Sequence, residues 1–443
     1  MKLFKIICIF LLVSIVISIA AVFSQSLISS IDIKNINTGD TAWVLAAAAL
    51  VMIMTPAVGF FYGGMVRRKN VISIIHQSFV ILAIVSIQWV IIGYSLVFGK
   101  DFHGIIGTFT YFGLKNVGMA PNPSYATTIP QAAFMIFQAK FAIITPALII
   151  GAIAERINFK ALIIFTILWT TLIYDPVAHW VWGVGGWLRT YGALDFAGGT
   201  VVHITAGFAG LIAAIIVGRR NGVKNGHGAP AHNIPFVLLG AALLWFGWFG
   251  FNAGSALGAN GLAVTAFITT NTAAAAAALT WMVLSWIQFK KPSALATATG
   301  AVCGLVAITP ASGFVNPIAS IAIGVIGAGV CYAALLYRTH KTFIDDSLDV
   351  WAAHGMGGVT GAILTGVFAQ RVINPLGSNG LLFGNPMQFV IQLVTVVTTA
   401  GYTVVATVIL LLIIKKTIGL RVSKKEEETG LDMALHGETG YSV

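Results

Sequence analysis

The stretch TAWVLAAAALVMIMTPAVGFFYGGM, residues 41–65, decides the fold class of this chain, because it contains no charged side chain. About 20 consecutive, mostly apolar residues are enough for a helix to cross the hydrocarbon core of a bilayer. The whole composition agrees, since 58% of the 443 residues are hydrophobic and 9% are charged, against about 25% charged residues in ordinary globular chains. The sequence therefore predicts one polytopic membrane domain rather than two or three soluble domains.

Ten more apolar runs follow the first, so we expect an all-α polytopic membrane protein with eleven transmembrane helices. The eighth run is short, and residues 100–130 form a long loop rich in Gly, Pro and Asn. The eleven segments are 41–65, 71–98, 131–153, 159–182, 197–218, 234–257, 262–289, 295–309, 316–337, 350–368 and 387–414.

Residues 1–24 have the layout of a secretory signal sequence. Lys2 and Lys5 precede an apolar stretch, and Val22-Phe23-Ser24 resembles a cleavage site. Because the apolar part is long, an uncleaved signal anchor is the alternative, and either case places the following residues outside. We therefore divide the chain into a signal peptide (1–24), a transmembrane domain (25–414) and a polar cytoplasmic tail (415–443).

The basic residues predict the orientation of the helices. With the mature N-terminus outside, seventeen Lys and Arg residues fall in the inner loops and the tail, and five fall on the outer side. Inner loops of membrane proteins are enriched in basic residues, so we expect an N-out, C-in topology. The net charge of +11 is thus explained by topology, and it does not indicate nucleic-acid binding.

A short repeat links the fifth and tenth segments. His203 is followed by Gly207 and Gly210, and His354 is followed by two glycines at the same offsets. Segments that are five apart cross the membrane in opposite directions, which is the arrangement of an inverted repeat of helices 1–5 and 6–10. Such repeats place their substrate site near the midplane, between the two halves.

His203 and His354 are therefore the first candidate functional residues, because ionisable residues are scarce inside membranes and mark functional sites. A facing pair of neutral imidazoles offers a donor and an acceptor without fixed charge. This suits a small, neutral, hydrogen-bonding solute or a proton relay, and it does not suit a bare metal cation, which needs a ring of oxygens. The alternative is two core histidines, each bonded to a backbone carbonyl.

Aromatic pairs and one acid complete the candidates. Phe137 and Phe141 share one helix face, as do Trp248 and Phe251, and aromatic faces attract small cations. Packing in the core or against lipid is the alternative for the Phe pair. The remaining two candidates, Trp182 and Asp195, lie toward the outer side. For Trp182 the alternative is a place in the interfacial aromatic belt. Asp195 suits either a helix N-terminal cap or an acid that stabilises a cation.

Several other polar residues receive structural interpretations. Lys140 lies about 100° around the helix from Phe141, so we expect it to face a subunit contact or to reach outward. The acids Asp345, Asp346 and Asp349 are predicted to cap the tenth segment, and residues 424–428 (KKEEE) to form a solvated face of the tail.

We expect no metal site, no cofactor and no enzymatic activity. The cysteines at 8, 303 and 331 lie in apolar runs, so they form neither a disulfide framework nor a metal site. His227 and His232 share an inner loop without a Cys or an acid, which does not favour metal binding there. No combination of nucleophile and base is present in the sequence.

Seven motifs together resemble the ammonium transporter family, in its Amt branch. The resemblance runs from about Asp40 to the C-terminus, and several of the motifs are long and occur in order. They are FFYGG (60–64), GAIAER (151–156), DFAGGTVVH (195–203), WFGFNAGS (248–255), TPASG (309–313), HGMGG (354–358) and, in the tail, GLD followed by HGE (430–438).

The resemblance implies roles for the candidates. Trp182, Phe141 and Ser255, with Phe137 on the same helix face as Phe141, match the outer site that recruits ammonium. Phe141 and Phe251 match the stacked rings that gate the pore.

Four further roles are implied in the same way. His203 and His354, with Trp248 beside them, match the residues of a narrow pore, and Asp195 matches the acid near the entrance. The family also implies a homotrimer with one pore in each subunit, a tail that meets a PII-type regulator, and a place in the cell membrane, the inner membrane of a bacterium.

The expected function is ammonium transport, in which NH4+ is recruited outside, loses a proton near Phe141 and passes as NH3 along the two histidines. Potassium cannot lose its charge, so it is rejected although its size is similar. Net proton transfer is left open. The alternatives are an ammonium sensor, which usually carries a signalling domain after the last helix, and a channel for another small neutral gas on the same fold.

Overall fold

The structure is a computed structural model that describes residues 35–223 and 230–441, and helices dominate these ranges. The predicted signal peptide, residues 1–24, lies outside the described residues.

Nine helices of the described ranges are long and apolar enough to cross a membrane. Two more helices occupy the eighth and tenth predicted segments, one of 15 residues and one built from a π turn and an α-helix. The multi-span helical prediction is thus confirmed, while the count of eleven crossings and the N-out orientation stay predictions. The helices are α1 Thr38–Met65, α2 Arg68–Phe98, α3 Gln131–Ile153, α4 Phe159–Tyr191, α5 Gly199–Val217, α6 Ile234–Ala256, α7 Gly261–Phe289, α8 Ala294–Ile308, α9 Pro317–Lys341, α10 Trp351–Gly355 with Met356–Phe368, α11 Pro386–Thr417 and, in the tail, α12 Lys424–Thr429.

The long loop between α2 and α3 contains two small antiparallel hairpins. Strand β1 (Asp101–Phe102) pairs with β2 (Ile106–Gly107), and β3 (Pro121–Asn122) pairs with β4 (Ala126–Pro130). A 3-10 segment, Phe109–Leu114, joins the two hairpins. The loop is therefore ordered, and it places Ser124 and Tyr125 beside the ends of α3 and α4.

Five of the spanning helices contain a π turn, which is rare in proteins and is found mostly at functional sites. The turns that contain His203 and His354 begin α5 and α10. The others lie inside α2, α4 and α6. In chain order the five turns are Trp89–Gly93, Thr170–Tyr174, Gly199–Ile204, Phe249–Ala253 and Trp351–Gly355.

Glycines of the short repeat lie where α5 meets α10. A Cβ added to Gly207 would stand 2.1 Å from the backbone nitrogen of Gly355, and one added to Gly358 would stand 2.8 Å from the carbonyl oxygen of Gly199. Only glycine permits so close an approach of two backbones. The repeated glycines therefore bring the two histidine-bearing turns together.

One side of the bundle, which we call the tail side, carries a buried network of charged residues. The Glu155 carboxylate contacts Arg67 at 2.8 Å and Arg220 at 3.2 Å, and Arg220 also contacts Asp345 at 2.8 Å. Burial opposes the ionisation of Glu155, yet the charges of Arg220 and Arg67 outweigh it and lower its pKa. The network joins the connections that follow α1, α3, α5 and α9.

The tail packs against the same side. Glu427 was predicted to be solvated, and this is wrong, because its side chain is buried and accepts hydrogen bonds from Asn221 and Arg421. Asp432 accepts from the backbone N–H groups of Ile72 and Ser73 at 3.1 and 2.7 Å. These N–H groups lie in the first turn of the α-helical part of α2, which begins at Val71. That turn has no intrahelical partners for them, so the tail caps a spanning helix.

Candidate functional site

A cavity of about 180 Å³ opens on the side of the bundle opposite the tail, and we call it the vestibule. Three of the predicted recruitment residues line it, namely Trp182, Phe141 and Ser255. The sequence analysis missed the other lining residues, several of which come from the ordered loop and from neighbouring helix ends. These are Phe98, Ser124, Tyr125, Phe134, Gln138, Arg189, Phe196 and Leu257.

The polar and aromatic groups of the vestibule are held in fixed orientations. The indole nitrogen of Trp182 donates to the carbonyl oxygen of Asp195 at 3.0 Å. The Ser255 hydroxyl donates to the carbonyl oxygen of Phe251 at 2.8 Å, which leaves its oxygen lone pairs free. A cation in the vestibule would therefore meet the ring faces of Trp182 and Phe141 and the Ser255 hydroxyl, which favour ammonium-like ions. It would also meet other polar groups of the lining, among them the positively charged Arg189.

Two phenyl rings close the floor of the vestibule. The centroids of Phe141 and Phe251 are 4.4 Å apart, and both residues are almost completely buried. Phe137 does not line the vestibule; its ring packs against Phe141 with centroids 5.0 Å apart and supports it from behind. The two rings are tilted by 44° to each other, and without a polar atom they form a barrier that a hydrated ion cannot cross without losing its water.

The two histidines lie beyond this barrier. Their rings stack with centroids 5.3 Å apart, and their Nδ1 atoms are 3.3 Å from each other. Phe251 lies on the vestibule side of His203, at a centroid distance of 5.9 Å, and Trp248 stacks on His203 at 5.4 Å. Phe251, Trp248 and the two imidazoles thus form one continuous stack.

The Nδ1–Nδ1 contact requires one imidazole to donate and the other to accept, so the two rings have different tautomers when both are neutral. His203 is 1% exposed, and its Nε2 atom is without a hydrogen-bond partner in the described residues. A space of about 10 Å³ borders both histidines, which is close to the minimum that holds one water-sized molecule. The site can therefore accept a single small molecule that hydrogen-bonds to imidazole nitrogen.

The apolar character of this space comes from its other walls. Trp248 is fixed by a hydrogen bond of 2.9 Å from its indole nitrogen to the hydroxyl of Thr309. Apart from the two histidines, the residues around the space are aliphatic or aromatic: Val58, Phe61, Tyr62, Ile144, Leu148, Leu244, Trp248 and Val302.

Asp195 hydrogen-bonds to the backbone at the start of α5. Its carboxylate accepts from the N–H groups of Gly198, Gly199, Thr200 and Val201, and from the Thr200 hydroxyl. These groups begin the π turn that carries His203, so the geometry corresponds to the N-terminal cap that the sequence suggests. The carboxylate does not line the vestibule, while its carbonyl oxygen holds Trp182.

Gln392 is a buried residue that sequence reasoning missed. Its side chain accepts from the backbone N–H of Leu194 at 2.8 Å and donates to the carbonyl oxygens of Leu194 at 2.8 Å and Ala362 at 3.0 Å. It therefore ties the backbone next to Asp195 to helix α10. A glutamine four residues after another one, Gln388, in an apolar span was the available signal.

Two basic residues lie near the site with different placements. Lys140 borders neither the vestibule nor the histidine space, and its expected subunit contact or outward reach stays a prediction. Arg189 lines the vestibule and donates to the carbonyl oxygen of Trp182. Arg189 is one of the five basic residues that the predicted topology places on the outer side. Across residues 35–223 and 230–441, His, Cys, Asp and Glu form no group suited to a metal ion.

The chain is similar to known proteins over most of its length. The sequence profile of the Ammonium Transporter Family matches residues 42–441. An ammonium transporter of Bacillus subtilis is 48% identical over 91% of this chain and 98% of its own length. Ammonium transporter Amt1 of Archaeoglobus fulgidus is also 48% identical, over 91% of this chain and 99% of its own.

Solved structures are similar as well. The crystal structure of Mep2 from Saccharomyces cerevisiae has a TM-score of 0.81 and 36% identity, and it covers 88% of both chains. A structure described as a sensor Amt protein has a TM-score of 0.82 and 32% identity, covering 90% of this chain and 98% of that one.

Proposed function

Because this chain belongs to the ammonium transporter family, we propose that it recruits NH4+ in the vestibule, that the ion gives one proton to water of the open vestibule at the phenyl barrier, and that NH3 passes the two histidines. Ammonium transport itself is supported by the family and by the relatives, which are named as transporters and fit a protein that is not an enzyme. The sequence of steps is the proposal.

The observation that carries the proposal is the order of the three parts. An open vestibule with Trp182 and Ser255 is followed by the closed pair Phe141 and Phe251, and then by a space of about 10 Å³ beside the histidines. A charge at the bilayer centre costs at least about 2.5–3.5 kcal/mol. Ammonium avoids this cost by leaving its proton behind, and potassium cannot.

The histidines then offer a hydrogen bond to a passing NH3 molecule. An ammonia molecule between the phenyl barrier and the tail side loses its hydrogen bonds to water, and an imidazole nitrogen offers a replacement. A hydrogen bond of this kind contributes about 0.5–1.5 kcal/mol net. The free Nε2 atom of His203 is the group that we assign to this contact.

The test is a transport assay on proteoliposomes, with ammonium pulses and potassium as the control ion. We expect the wild type to give a saturable response to ammonium and none to potassium. His203→Leu removes the hydrogen-bonding nitrogens from a buried space, so we expect ammonium flux to fall by about tenfold, which corresponds to about 1.4 kcal/mol.

His340→Leu is the matched control, because His340 is exposed at the tail-side end of α9. It should leave the flux within about twofold of the wild type. Equal flux through the wild type and His203→Leu would contradict the assigned role of the histidine. A potassium response equal to the ammonium response in the wild type would contradict the transport mechanism as a whole.

An ammonium sensor is the second candidate, and the similarity to the sensor Amt structure supports it. A sensor would bind ammonium in the vestibule without passing it on. Binding measured by calorimetry, together with the absence of flux in the same preparation, would favour the sensor. A channel for another neutral gas is distinguished by flux that persists without ammonium.

We also propose that the protein is a homotrimer in the cell membrane, a bacterial inner membrane, and that a PII-type protein meets its tail side. Large apolar side chains are exposed along α7 and α9, among them Val264, Ile287 and Ile318. They suit contact with lipid or with a second subunit. Native mass spectrometry of the protein in detergent tests the trimer.

The docked tail leads to a prediction about regulation. Asp432→Ala removes the cap of α2 and should free the tail, since a lost cap costs about 0.5–2 kcal/mol. We expect faster proteolysis of the tail and ammonium flux lowered by about two- to fivefold, with subunit assembly unchanged. Glu438→Ala is the control, because Glu438 is exposed in the same segment. Unaltered flux after cleavage of the whole tail, residues 415–443, would show that the tail does not regulate transport.

A further inference from the structure

Asp175 is an acidic residue inside helix α4 that the proposed transport steps do not use. It lies seven residues before Trp182, so it is roughly 10 Å deeper along the helix axis. Its side chain is 0% exposed. Acids inside a membrane span are costly and mark functional sites, yet Asp175 borders neither the vestibule nor the histidine space.

The partner of Asp175 is an amide. Nε2 of Gln88 on α2 donates to Oδ2 of Asp175 at 2.7 Å and to the hydroxyl oxygen of Thr171 at 3.2 Å. Both amide hydrogens of Gln88 are therefore used. Among the residues that the structure describes, Asp175 takes part in no salt bridge, so its negative charge, if present, is not matched by a cation.

Two oxygen atoms of this pair have no hydrogen-bond donor among the described residues. Oδ1 of Asp175 and Oε1 of Gln88 are both buried without a hydrogen-bond partner among the described residues. An ionised carboxylate and an amide oxygen are both acceptors, so neither can satisfy the other. A single proton on Oδ1 removes the conflict, because the acid then donates to Oε1 while Oδ2 continues to accept from Nε2.

We propose that Asp175 is a proton-binding site within the membrane domain, a neutral carboxylic acid that forms a closed pair of hydrogen bonds with Gln88. The pair joins helix α2 to helix α4 at the depth of their π turns. Gln88 directly precedes the π turn Trp89–Gly93, and Asp175 directly follows the π turn Thr170–Tyr174. Two interrupted helices are thus held together where their own backbone ladders are weakest.

The position of Gly93 supports a confined pair. A Cβ at Gly93 would stand 2.7 Å from Oε1 of Gln88, so the π turn lies directly over the amide. No side chain larger than that of glycine fits at this position, so the π turn confines the amide of Gln88.

Infrared difference spectroscopy tests the protonation without any transport measurement. The wild type minus Asp175→Asn should show the C=O stretch of a protonated carboxyl group, shifted in D2O. A difference spectrum with only carboxylate bands would overturn the proposal and would indicate an ionised acid with a bound cation or water. The spectra of the wild type and Asp175→Asn alone distinguish a protonated from an ionised carboxyl group.

Asp175→Asn and one further variant, Gln88→Leu, test the pairing. Asp175→Asn keeps the shape of the acid and donates from Nδ2 to Gln88, so we expect ammonium flux and thermal midpoint to stay close to the wild type, within about twofold for flux. Gln88→Leu removes both hydrogen bonds, so the C=O band should move to higher frequency and the thermal midpoint should fall. An unchanged band in Gln88→Leu, or a loss of flux of tenfold or more in Asp175→Asn, would overturn the closed neutral pair.

Discussion

Asp195→Ala is expected to abolish measurable ammonium flux, with a decrease of about a hundredfold or more, and to lower the stability of the folded protein. The carboxylate satisfies four backbone N–H groups and the Thr200 hydroxyl, all of them buried. A buried donor left without a partner costs about 1–3 kcal/mol. The loss of several such bonds would release the π turn that positions His203 and the carbonyl that holds Trp182.

The role of Asp195 is decided by measuring the maximal flux and the apparent affinity for ammonium in the same variant. If Asp195 acts as a cap, maximal flux and thermal midpoint should fall together, while the ammonium concentration at half-maximal flux changes little. If it acts as a cation-stabilising acid, affinity should weaken at normal stability, and that result would contradict the capping role. Asp40→Ala is the control, because Asp40 is a more exposed acid in the first turn of α1.

Arg220→Met is expected to lower the free energy of unfolding by about 3–5 kcal/mol, since removal of one partner of a buried ion pair leaves the other charge uncompensated. Arg220 is 7% exposed and contacts both Glu155 and Asp345. The variant would remove the arginine that Asp345 and Glu155 share, and Glu155 would keep its ion pair with Arg67. Thermal unfolding of the purified protein in detergent measures the effect.

The same network predicts a dependence on pH. Burial opposes the ionisation of Asp345, but hydrogen bonds from Arg220 and its charge outweigh burial and lower the pKa of Asp345 from 3.8 to about 2. A carboxyl group with a lowered pKa stabilises the fold at neutral pH, and this contribution is lost as the pH falls through about 2. In Arg220→Met the pKa should rise, so acid unfolding should begin at a higher pH.

Arg219→Met is the matched control for this prediction. Arg219 is the neighbouring residue, and among the residues that the structure describes its guanidinium makes only a long contact of 3.4 Å to the carbonyl oxygen of Val223. We expect a change of less than about 0.5 kcal/mol, as for most surface substitutions. An equal loss of stability in both variants would show that the buried ion network is not what stabilises this side of the bundle.

The three acids before helix α10 were all predicted to cap it, and the structure separates them. Asp346 accepts from the backbone N–H groups of Val350 and Trp351 at 3.0 and 2.7 Å, so the predicted cap is correct for this residue. Asp345 and Asp349 instead pair with Arg220 and Arg338. Sequence spacing predicted the cap because its partners lie four and five residues away. It could not predict the pairs with distant arginines.

The sequence by itself determined the class of the protein. Runs of about 20 apolar residues predict membrane helices without any knowledge of their packing, since the length follows from the thickness of the bilayer. The ordered motifs, among them DFAGGTVVH at 195–203, identified the family. The two histidines were found because an ionisable residue in an apolar run is conspicuous, and the glycines at the same offsets indicated that the two residues belong to an inverted repeat.

Only the tertiary structure decided which side chains face one another. Gln88 and Asp175 lie on different helices, 87 positions apart, and Gln392 reaches Leu194 across 198 positions. The burial of Glu427 likewise depends on where the tail docks. Contacts of this kind depend on the rotation and depth of each helix relative to its neighbours, and apolar runs this uniform do not specify either quantity, because nearly every face of such a helix can be buried in protein or lipid.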